Sequence, residues 1–341
     1  MTAAINIVMD PGGIYRDGKV TPGAFADALV ASDHGLWWPD GSYDERALKK
    51  ALASHSSEAD CVVVGSSHVM QVGSRRTNAS LRDECTSILN LGVSGAGIED
   101  HLALAYLALR TGPPKKIVLG VAPWTFAFGK DQRWTQYKDD YYKALRTILD
   151  KEVLPDARTE DSFAKIRNLF SLEYTIRSVR KGIQDVQNPQ STIAGAPEVD
   201  ETVGGSHPIL LPDGSLVYSS DSIANAANAN IPIGGERYKT DGALNQDHAI
   251  RTYRALLTWV RNQGVEPILL LTPYHENTWI NPDARIPITL RESERLARHI
   301  AKELNIKLIG SYHPQIGGCD RSEFFDFMHP TTSCLVKLKV N

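Results

Sequence analysis

The sequence predicts a three-layer α/β/α domain built on a mostly parallel five-stranded sheet, and two patterns support this fold class. Short apolar runs rich in Val, Ile or Leu and bounded by Gly, Pro or Ser are typical of buried strands. Five such runs occur, at residues 61–65, 87–92, 116–121, 267–272 and 307–310. Segments with helical apolar spacing separate them, at residues 98–112, 247–264 and 291–305. This alternation predicts a parallel sheet with helices on both faces and ligands beyond the carboxyl ends of its strands.

The composition is that of an ordinary globular protein. The chain has 341 residues, of which 42% are hydrophobic and 23% charged, so it is long enough for one large domain with an insertion. We predict a single domain over residues 1–341. The formal net charge of -3 gives no basic footprint, and nucleic acid is therefore not an expected partner.

The chain as written contains no predicted membrane span. No apolar run approaches the roughly 18 residues that a transmembrane helix needs. The start, MTAAINIVMDPGGIY, lacks the basic and long apolar regions of a signal peptide. The expectation is therefore a soluble chain, or the soluble part of something longer.

Residues 124–240 interrupt the strand-helix alternation after the third strand, and we interpret them as an insertion over one end of the sheet. Helical patterns at 131–150 and 161–182 precede a polar tract with LPDGSLVY and NAANANIPIGG. Pro-Asp-Gly between apolar residues indicates a tight turn, as in a small hairpin. The aromatic residues Trp134, Tyr137, Tyr141 and Tyr142 are either platforms for sugar rings or a packed helical cover.

The four cysteines show no zinc-ligand spacing, and no metal site is predicted. Cys61 opens the first strand and is expected to be a buried thiol. Cys319 and Cys334 are compatible with a disulfide, which their spacing alone does not establish.

A candidate nucleophile follows the first strand, in CVVVGSSHVM at residues 61–70. The two serines after Gly65 fit either a helix cap or a nucleophile at the carboxyl end of a buried strand. A serine hydroxyl attacks efficiently only when an imidazole takes its proton and a carboxylate orients that imidazole. The chain must therefore supply a histidine and an acid at the same sheet edge.

Asp326 and His329 are that candidate pair, in FFDFMHPTT after the last strand. Three residues apart on a turn, the two side chains can form a hydrogen bond locally. Pro330 favours extended geometry in the residue before it and the first position of a helix. We therefore expect His329 at the mouth of a final helix that starts at Pro330, near Ser67.

Three segments of the chain resemble the conserved blocks of the SGNH/GDSL hydrolases and occur in the family's order. They are Gly-Ser-Ser at 65–67, NLGVSGAG at 90–97 and Asp-x-x-His at 326–329. The resemblance implies a flavodoxin-like fold, with Ser67, His329 and Asp326 as catalytic residues. It also implies an oxyanion hole from the backbone N–H groups of Ser67 and Gly95, and no cofactor.

Two departures from the family pattern indicate a particular branch. Ser66 stands where the family has Asp, and the third block's Asn is absent from APWTF at 122–126. With INIVMDPGGIY, LLLTPYHE and GSYHPQIGGCDRSEFFDFMHP, the chain resembles the membrane-associated acyl-transfer proteins of teichoic acid D-alanylation and alginate O-acetylation. That resemblance implies an acyl donor, a carbohydrate acceptor, a membrane-bound acyltransferase partner and an extracytoplasmic location, with an anchor outside this chain.

Several roles stay open. His68, Trp124 and His275 are candidates for substrate contact, each with a packing or structural hydrogen-bonding alternative. GVSGAG at 92–97 resembles a dinucleotide-binding turn, but the next strand ends in LGVAPW without the acid that binds ribose. The alternative to an enzyme is a non-catalytic protein of the same fold that binds a glycan or an assembly partner.

Overall fold

The computed structural model describes residues 21–38, 44–74, 79–150, 195–196, 207–219, 221–222 and 246–339. Its strands are β1 (Leu36–Trp37), β2 (Cys61–Gly65), β3 (Ile88–Asn90), β4 (Lys116–Gly120), β5 (Ile209–Leu210), β6 (Leu216–Val217), β7 (Glu266–Leu271) and β8 (Lys307–Gly310). Its α-helices are α1 (Pro22–Val30), α2 (Glu45–Leu52), α3 (Ala79–Glu84), α4 (Ile98–Thr111), α5 (Lys138–Leu149), α6 (Asp247–Asn262), α7 (Arg285–Glu303), α8 (Pro314–Gly317) and α9 (Thr332–Leu335).

The main sheet has five parallel strands in the order β3-β2-β4-β7-β8. Each coincides with one of the five predicted runs to within a few residues. In chain order this is second-first-third-fourth-fifth, the flavodoxin-like arrangement. The predicted fold class is therefore confirmed.

Alternate residues of the central strands enter two different cores. Val62 and Val64 of β2 pack in the larger cluster, with α4, α6 and α7. Val63 packs in a smaller cluster, with Leu81 of α3 and Leu335 of α9. Because successive side chains of a strand point to opposite faces, the sheet is covered by helices on both sides.

The segment after β4 contributes short helices and a hairpin. Within predicted helix 131–150, a 3-10 turn (Arg133–Tyr137) leads into α5. Strands β5 and β6 form an antiparallel hairpin around the Pro-Asp-Gly turn, and β1 pairs with β5. The predicted helix at 161–182 and the tract at 225–235 lie outside the described residues.

The aromatic residues of this segment are buried, so their use as sugar platforms is wrong. Exposed fractions are 2–7% for Trp134, Tyr137, Tyr141 and Tyr142. They lie on the core-facing side of the 3-10 turn and α5, where burial of aromatic surface stabilises the fold. Their alternative role as a packed helical cover is confirmed.

All four cysteines form disulfides. Cys61 is bonded to Cys85 of the loop before β3, so the expectation of a free buried thiol is wrong. The parallel pairing of β2 with β3 brings these two residues together, which their spacing did not indicate. Cys319 is bonded to Cys334. Among the described helices, none is long and apolar enough to cross a membrane.

Candidate active site

The turn that carries Ser67 crosses the carboxyl ends of β2 and β4. A 3-10 helix (Ser67–Val69) follows β2 directly. The 3-10 helix has room there because the two strands end in paired glycines, Gly65 and Gly120. A Cβ on Gly65 would lie 2.9 Å from a methyl carbon of Val69, and a Cβ on Gly120 would lie 2.4 Å from one. The turn therefore requires glycine for space at both strand ends.

The two serines of this turn differ in exposure. Ser66 is 1% exposed, and its hydroxyl has no hydrogen-bond partner among the described residues. Ser67 is partly exposed, and its Oγ lies 2.8 Å from His329 Nε2. Of the two, Ser67 has the position of a nucleophile.

Asp326 holds the other side of the His329 ring. Its Oδ2 lies 2.8 Å from His329 Nδ1, and its Oδ1 accepts hydrogen bonds from the backbone N–H groups of Met328 and His329. Burial raises the pKa of Asp326, but these hydrogen bonds and the His329 ring outweigh it and lower the pKa to about 2. The carboxylate is therefore ionised at neutral pH and orients the imidazole with Nε2 towards Ser67.

The segment that carries Asp326 and His329 is a closed loop. The disulfide between Cys319 and Cys334 joins its ends, and Phe325 N–H donates to the His329 carbonyl across it. The predicted helix start at Pro330 is wrong. Pro330 forms a β-bridge with Phe324, and α9 begins at Thr332 because Pro330 is used to close the loop.

Gln71 connects the serine turn to the histidine loop. It is 3% exposed, and its Nε2 donates a 2.6 Å hydrogen bond to the carbonyl of Pro330, the residue after His329. This contact fixes the turn of Ser67 relative to the loop. No local pattern in the sequence indicates such a role.

Asn90 holds the turn from the second strand. Its side-chain amide donates to the carbonyls of Val69 and Val72, and its Oδ1 accepts from Gly92 N–H. A polar residue at the carboxyl end of a buried strand was the signal that could have identified it.

The candidate oxyanion donors lie on two adjacent loops. Val93 N–H donates to the Gly65 carbonyl at 3.0 Å, so the loop after β3 lies beside the serine turn. Gly95 has a φ of 65°, in the left-handed region that favours glycine. A Cβ there would lie 2.5 Å from Arg133 Nη2 and 2.7 Å from Asp131 Oδ2. Use of the Ser67 and Gly95 N–H groups in an oxyanion hole stays a prediction.

His68 lies beneath the histidine of the site. It is 3% exposed, and its ring packs edge-to-face with those of His329, Trp124 and Tyr274, at centroid distances of 5.2, 5.4 and 5.3 Å. Burial, followed by the charge of His329, lowers the pKa of His68 to about 3. A neutral buried ring of this kind favours the packing role over substrate contact.

Trp124 and His275 also have structural contacts. Trp124 is partly exposed, and its Nε1 donates to the Ala96 carbonyl. His275 is fully buried, and its Nδ1 accepts from Asn277 N–H at the start of a 3-10 helix. These contacts favour structural hydrogen bonding for His275, and contact of either side chain with substrate stays a prediction.

Among the described residues, no group of three or more His, Cys, Asp or Glu side chains could hold a metal ion.

Comparison with known proteins leaves the chain without an assigned family. No protein-family model and no curated protein matches it. A solved structure that matches is an arginine-to-alanine mutant of Axe2, an acetyl-xylooligosaccharide esterase from Geobacillus. It is 11% identical, covers 82% of this chain and 90% of that chain, and has a TM-score of 0.35. At this identity and TM-score the match carries no conclusion about this chain.

Proposed function

We propose that this protein is a serine-dependent O-acyltransferase or esterase that acts on a cell-surface or exported polysaccharide. The hydrogen-bonded series Ser67–His329–Asp326 carries the proposal. A hydroxyl, an imidazole and an ionised carboxylate in this order are the parts that acyl transfer through a serine requires.

In the proposed reaction, Ser67 Oγ attacks the acyl carbonyl carbon of the donor while its proton passes to His329 Nε2. Asp326 stabilises the imidazolium that forms. The backbone N–H groups of Ser67 and Gly95 donate to the carbonyl oxygen as it becomes an oxyanion. Collapse of the tetrahedral intermediate expels the donor alcohol, which takes the proton from His329, and leaves an acyl ester on Ser67.

The second half of the reaction decides between transfer and hydrolysis. A sugar hydroxyl gives its proton to His329 Nε2 and attacks the Ser67 ester, which returns the serine and yields the O-acylated sugar. Water in the same place gives the free acid. A well-oriented bound hydroxyl has an effective molarity of about 10⁵–10⁸ M, so a held sugar can outcompete bulk water.

The two disulfides support an extracytoplasmic location. Disulfides form and persist in oxidising compartments and are rare in reducing ones. An exported polysaccharide is modified in such a compartment. The proposal includes a membrane-bound acyltransferase as the partner that delivers the acyl group, as the sequence resemblance implies.

A serine-directed fluorophosphonate probe tests the proposal. We expect the probe to label the native protein and Ser66→Ala, and to leave Ser67→Ala unlabelled. Ser66→Ala is the matched control, since its buried hydroxyl has no partner among the described residues to lose. Equal labelling of native protein and Ser67→Ala would refute the nucleophile, and no labelling of native protein would favour a non-catalytic glycan-binding or assembly protein.

Transfer is tested with an activated acetyl ester, with and without bacterial exopolysaccharide oligomers. We expect slow release of acetate from the ester alone and acetylated sugar when the oligomer is present. Fast release that no oligomer changes would identify an ordinary esterase.

A further inference from the structure

The loop between β3 and α4 has one backbone donor without an acceptor. Of its six N–H groups at residues 92–97, five donate hydrogen bonds within the chain. Their acceptors are Asn90 Oδ1, the Gly65 carbonyl, Glu45 Oε2, the Val93 carbonyl and Asp100 Oδ2. The sixth N–H belongs to Gly95, which is partly exposed and offers it no acceptor among the described residues. The same holds for the N–H of Ser67, so both predicted oxyanion donors are free to bind a substrate oxygen.

The carbonyl of Ser94 sets the direction of the Gly95 N–H. The two groups belong to one planar trans peptide unit and therefore point in opposite directions. Arg46 Nη2 donates to the Ser94 carbonyl at 3.3 Å. Because Arg46 holds this carbonyl oxygen towards itself, the Gly95 N–H points away from Arg46.

Arg46 is itself held in place by a buried carboxylate. It is 2% exposed on α2. Its Nε donates to Asp100 Oδ1 at 2.8 Å, and its Nη2 donates to Asp100 Oδ2 at 3.3 Å. The Tyr137 hydroxyl donates to the same carboxylate. Asp100 Oδ2 also accepts from Gly97 N–H at 2.8 Å, so one ion pair holds both ends of the segment at 94–97.

The guanidinium keeps its charge in this place. Burial acts to lower the pKa of Arg46, but the charge of Asp100 and its hydrogen bonds outweigh burial and raise the pKa above its ordinary value. A hydrogen bond from a cation to a peptide carbonyl draws electron density from the amide nitrogen, so the N–H of that peptide becomes a stronger donor. Arg46 therefore affects both the direction and the strength of the Gly95 donor.

Glu45, the neighbour of Arg46 on α2, holds the preceding peptide unit. Its Oε2 accepts from Ser94 N–H at 2.8 Å, and its Oε1 accepts from Ser94 Oγ at 3.2 Å. Two neighbouring side chains of opposite charge therefore fix both peptide units that meet at Ser94.

We propose that Arg46 is a positioning residue of the oxyanion hole, which orients and polarises the Ser94–Gly95 peptide so that the Gly95 N–H donates to the oxyanion. Arg46 is buried and bonds the opposite end of this peptide, so it acts through Gly95 and does not touch the substrate. The inference rests on the proposed function, in which Ser67 attacks an acyl carbonyl.

The Gly95 amide can be observed alone, because residues 94–95 are the only Ser-Gly pair in the sequence. Protein made with ¹³C-carbonyl serine and ¹⁵N-glycine has one doubly labelled peptide for NMR. We expect the Gly95 proton signal of native protein to move downfield when fluorophosphonate reacts with Ser67, since the phosphoryl oxygen then takes the place of the oxyanion. In Arg46→Lys the shift should be smaller, because lysine lacks the planar fork that bonds Asp100 and Ser94 together.

The kinetic test compares an activated acetyl ester with its thiono analogue, in which sulfur, a weak acceptor, replaces the carbonyl oxygen. In Arg46→Lys, kcat and kcat/KM for the ester should fall together by about tenfold with KM unchanged, as expected for an interaction made in the transition state. This loss is smaller than the roughly 10²–10³ of a removed donor, because the N–H remains. The preference for the ester over the thiono analogue should also fall, which a merely structural loss would leave unchanged.

Arg298→Lys is the matched control. Arg298 also bonds a carboxylate, that of Glu294, and a backbone carbonyl, that of Gly310 at the end of β8. This variant should keep the native kcat, ester preference and Gly95 shift. Equal losses in both variants would overturn the proposal, as would native values in a folded Arg46→Lys. If Arg46→Lys fails to fold, Arg46→Met combined with Asp100→Asn replaces it, since this double variant buries no lone charge.

Failure of the proposed function is distinguishable from failure of this inference. Native protein would then neither react with the probe nor turn over the ester. The Gly95 signal of unmodified protein still tests Arg46, because we expect it to differ between native protein and Arg46→Lys. Identical signals would overturn the role of Arg46 whether or not Ser67 reacts.

Discussion

Gln71→Met removes the hydrogen bond between the serine turn and the histidine loop while nearly keeping the length of the side chain. The variant leaves the Pro330 carbonyl without its 2.6 Å donor and the Thr332 hydroxyl without its 3.5 Å acceptor. Because Gln71 is buried, the cost is that of an unsatisfied buried acceptor, about 1–3 kcal/mol of unfolding free energy. We expect Tm to fall by a few degrees, on the order of 2 °C per kcal/mol for a chain of this size.

The effect on reactivity should be larger than the effect on stability. Pro330 directly follows His329, so a shift of its carbonyl moves the imidazole relative to Ser67 Oγ. A misplacement of about 1 Å can cost about 10²-fold in rate. We therefore expect fluorophosphonate labelling of Gln71→Met to be 10- to 100-fold slower.

The assay compares labelling rates well below the Tm of every variant, with Gln263→Met as control. Gln263 is exposed at the end of α6, and its variant should label like native protein. The ¹⁵N shifts of the His329 ring give a second measurement, because a purely structural loss would leave its tautomer and its contact with Ser67 unchanged. A folded Gln71→Met protein that labels at the native rate would refute the positioning role.

Three further changes have defined outcomes. Asp326→Asn should lower turnover by up to about 10⁴-fold through loss of tautomer control; near-native turnover in a folded variant would make the carboxylate structural. The lowered pKa of Asp326 stabilises the fold above pH 4. The free energy of unfolding, measured at pH 7 and at pH 2, should show that this contribution disappears as pH falls towards 2. Replacing Cys319 and Cys334 with Ser should lower the free energy of unfolding by about 3 kcal/mol, the value for a loop of this length, and should slow fluorophosphonate labelling of Ser67. Unchanged Tm and labelling rate would show that the loop needs no disulfide. Gly120→Ala should lower the free energy of unfolding by about 1–3 kcal/mol, because the added methyl group overpacks the contact with Val69. Adding Val69→Ala to this variant should recover part of the lost stability, and no recovery in the double variant would show that the clash is with another residue.

The sequence alone predicted the sheet because its signal is local. Each of the five strands is a short apolar run bounded by turn residues, and burial on both faces of a parallel sheet demands such a run. The spacing of Asp326 and His329 was also a local signal, since two residues of one turn need no distant support to form a hydrogen bond. The Pro-Asp-Gly hairpin followed from turn chemistry in the same way.

Long-range packing decided the remaining features, and no local pattern encodes it. Ser67 and His329 are 262 residues apart and meet only because the first strand and the last loop share a sheet edge. Gln71 donates a hydrogen bond to a backbone carbonyl. Because every residue has a backbone carbonyl, the residue type of the partner does not identify this contact in the sequence. Cys61 pairs with Cys85 through the alignment of two strands, and the aromatic residues of α5 lie inside because the helix faces the core. Periodicity identifies an apolar stripe, but the tertiary structure alone determines whether that stripe meets a core or a ligand.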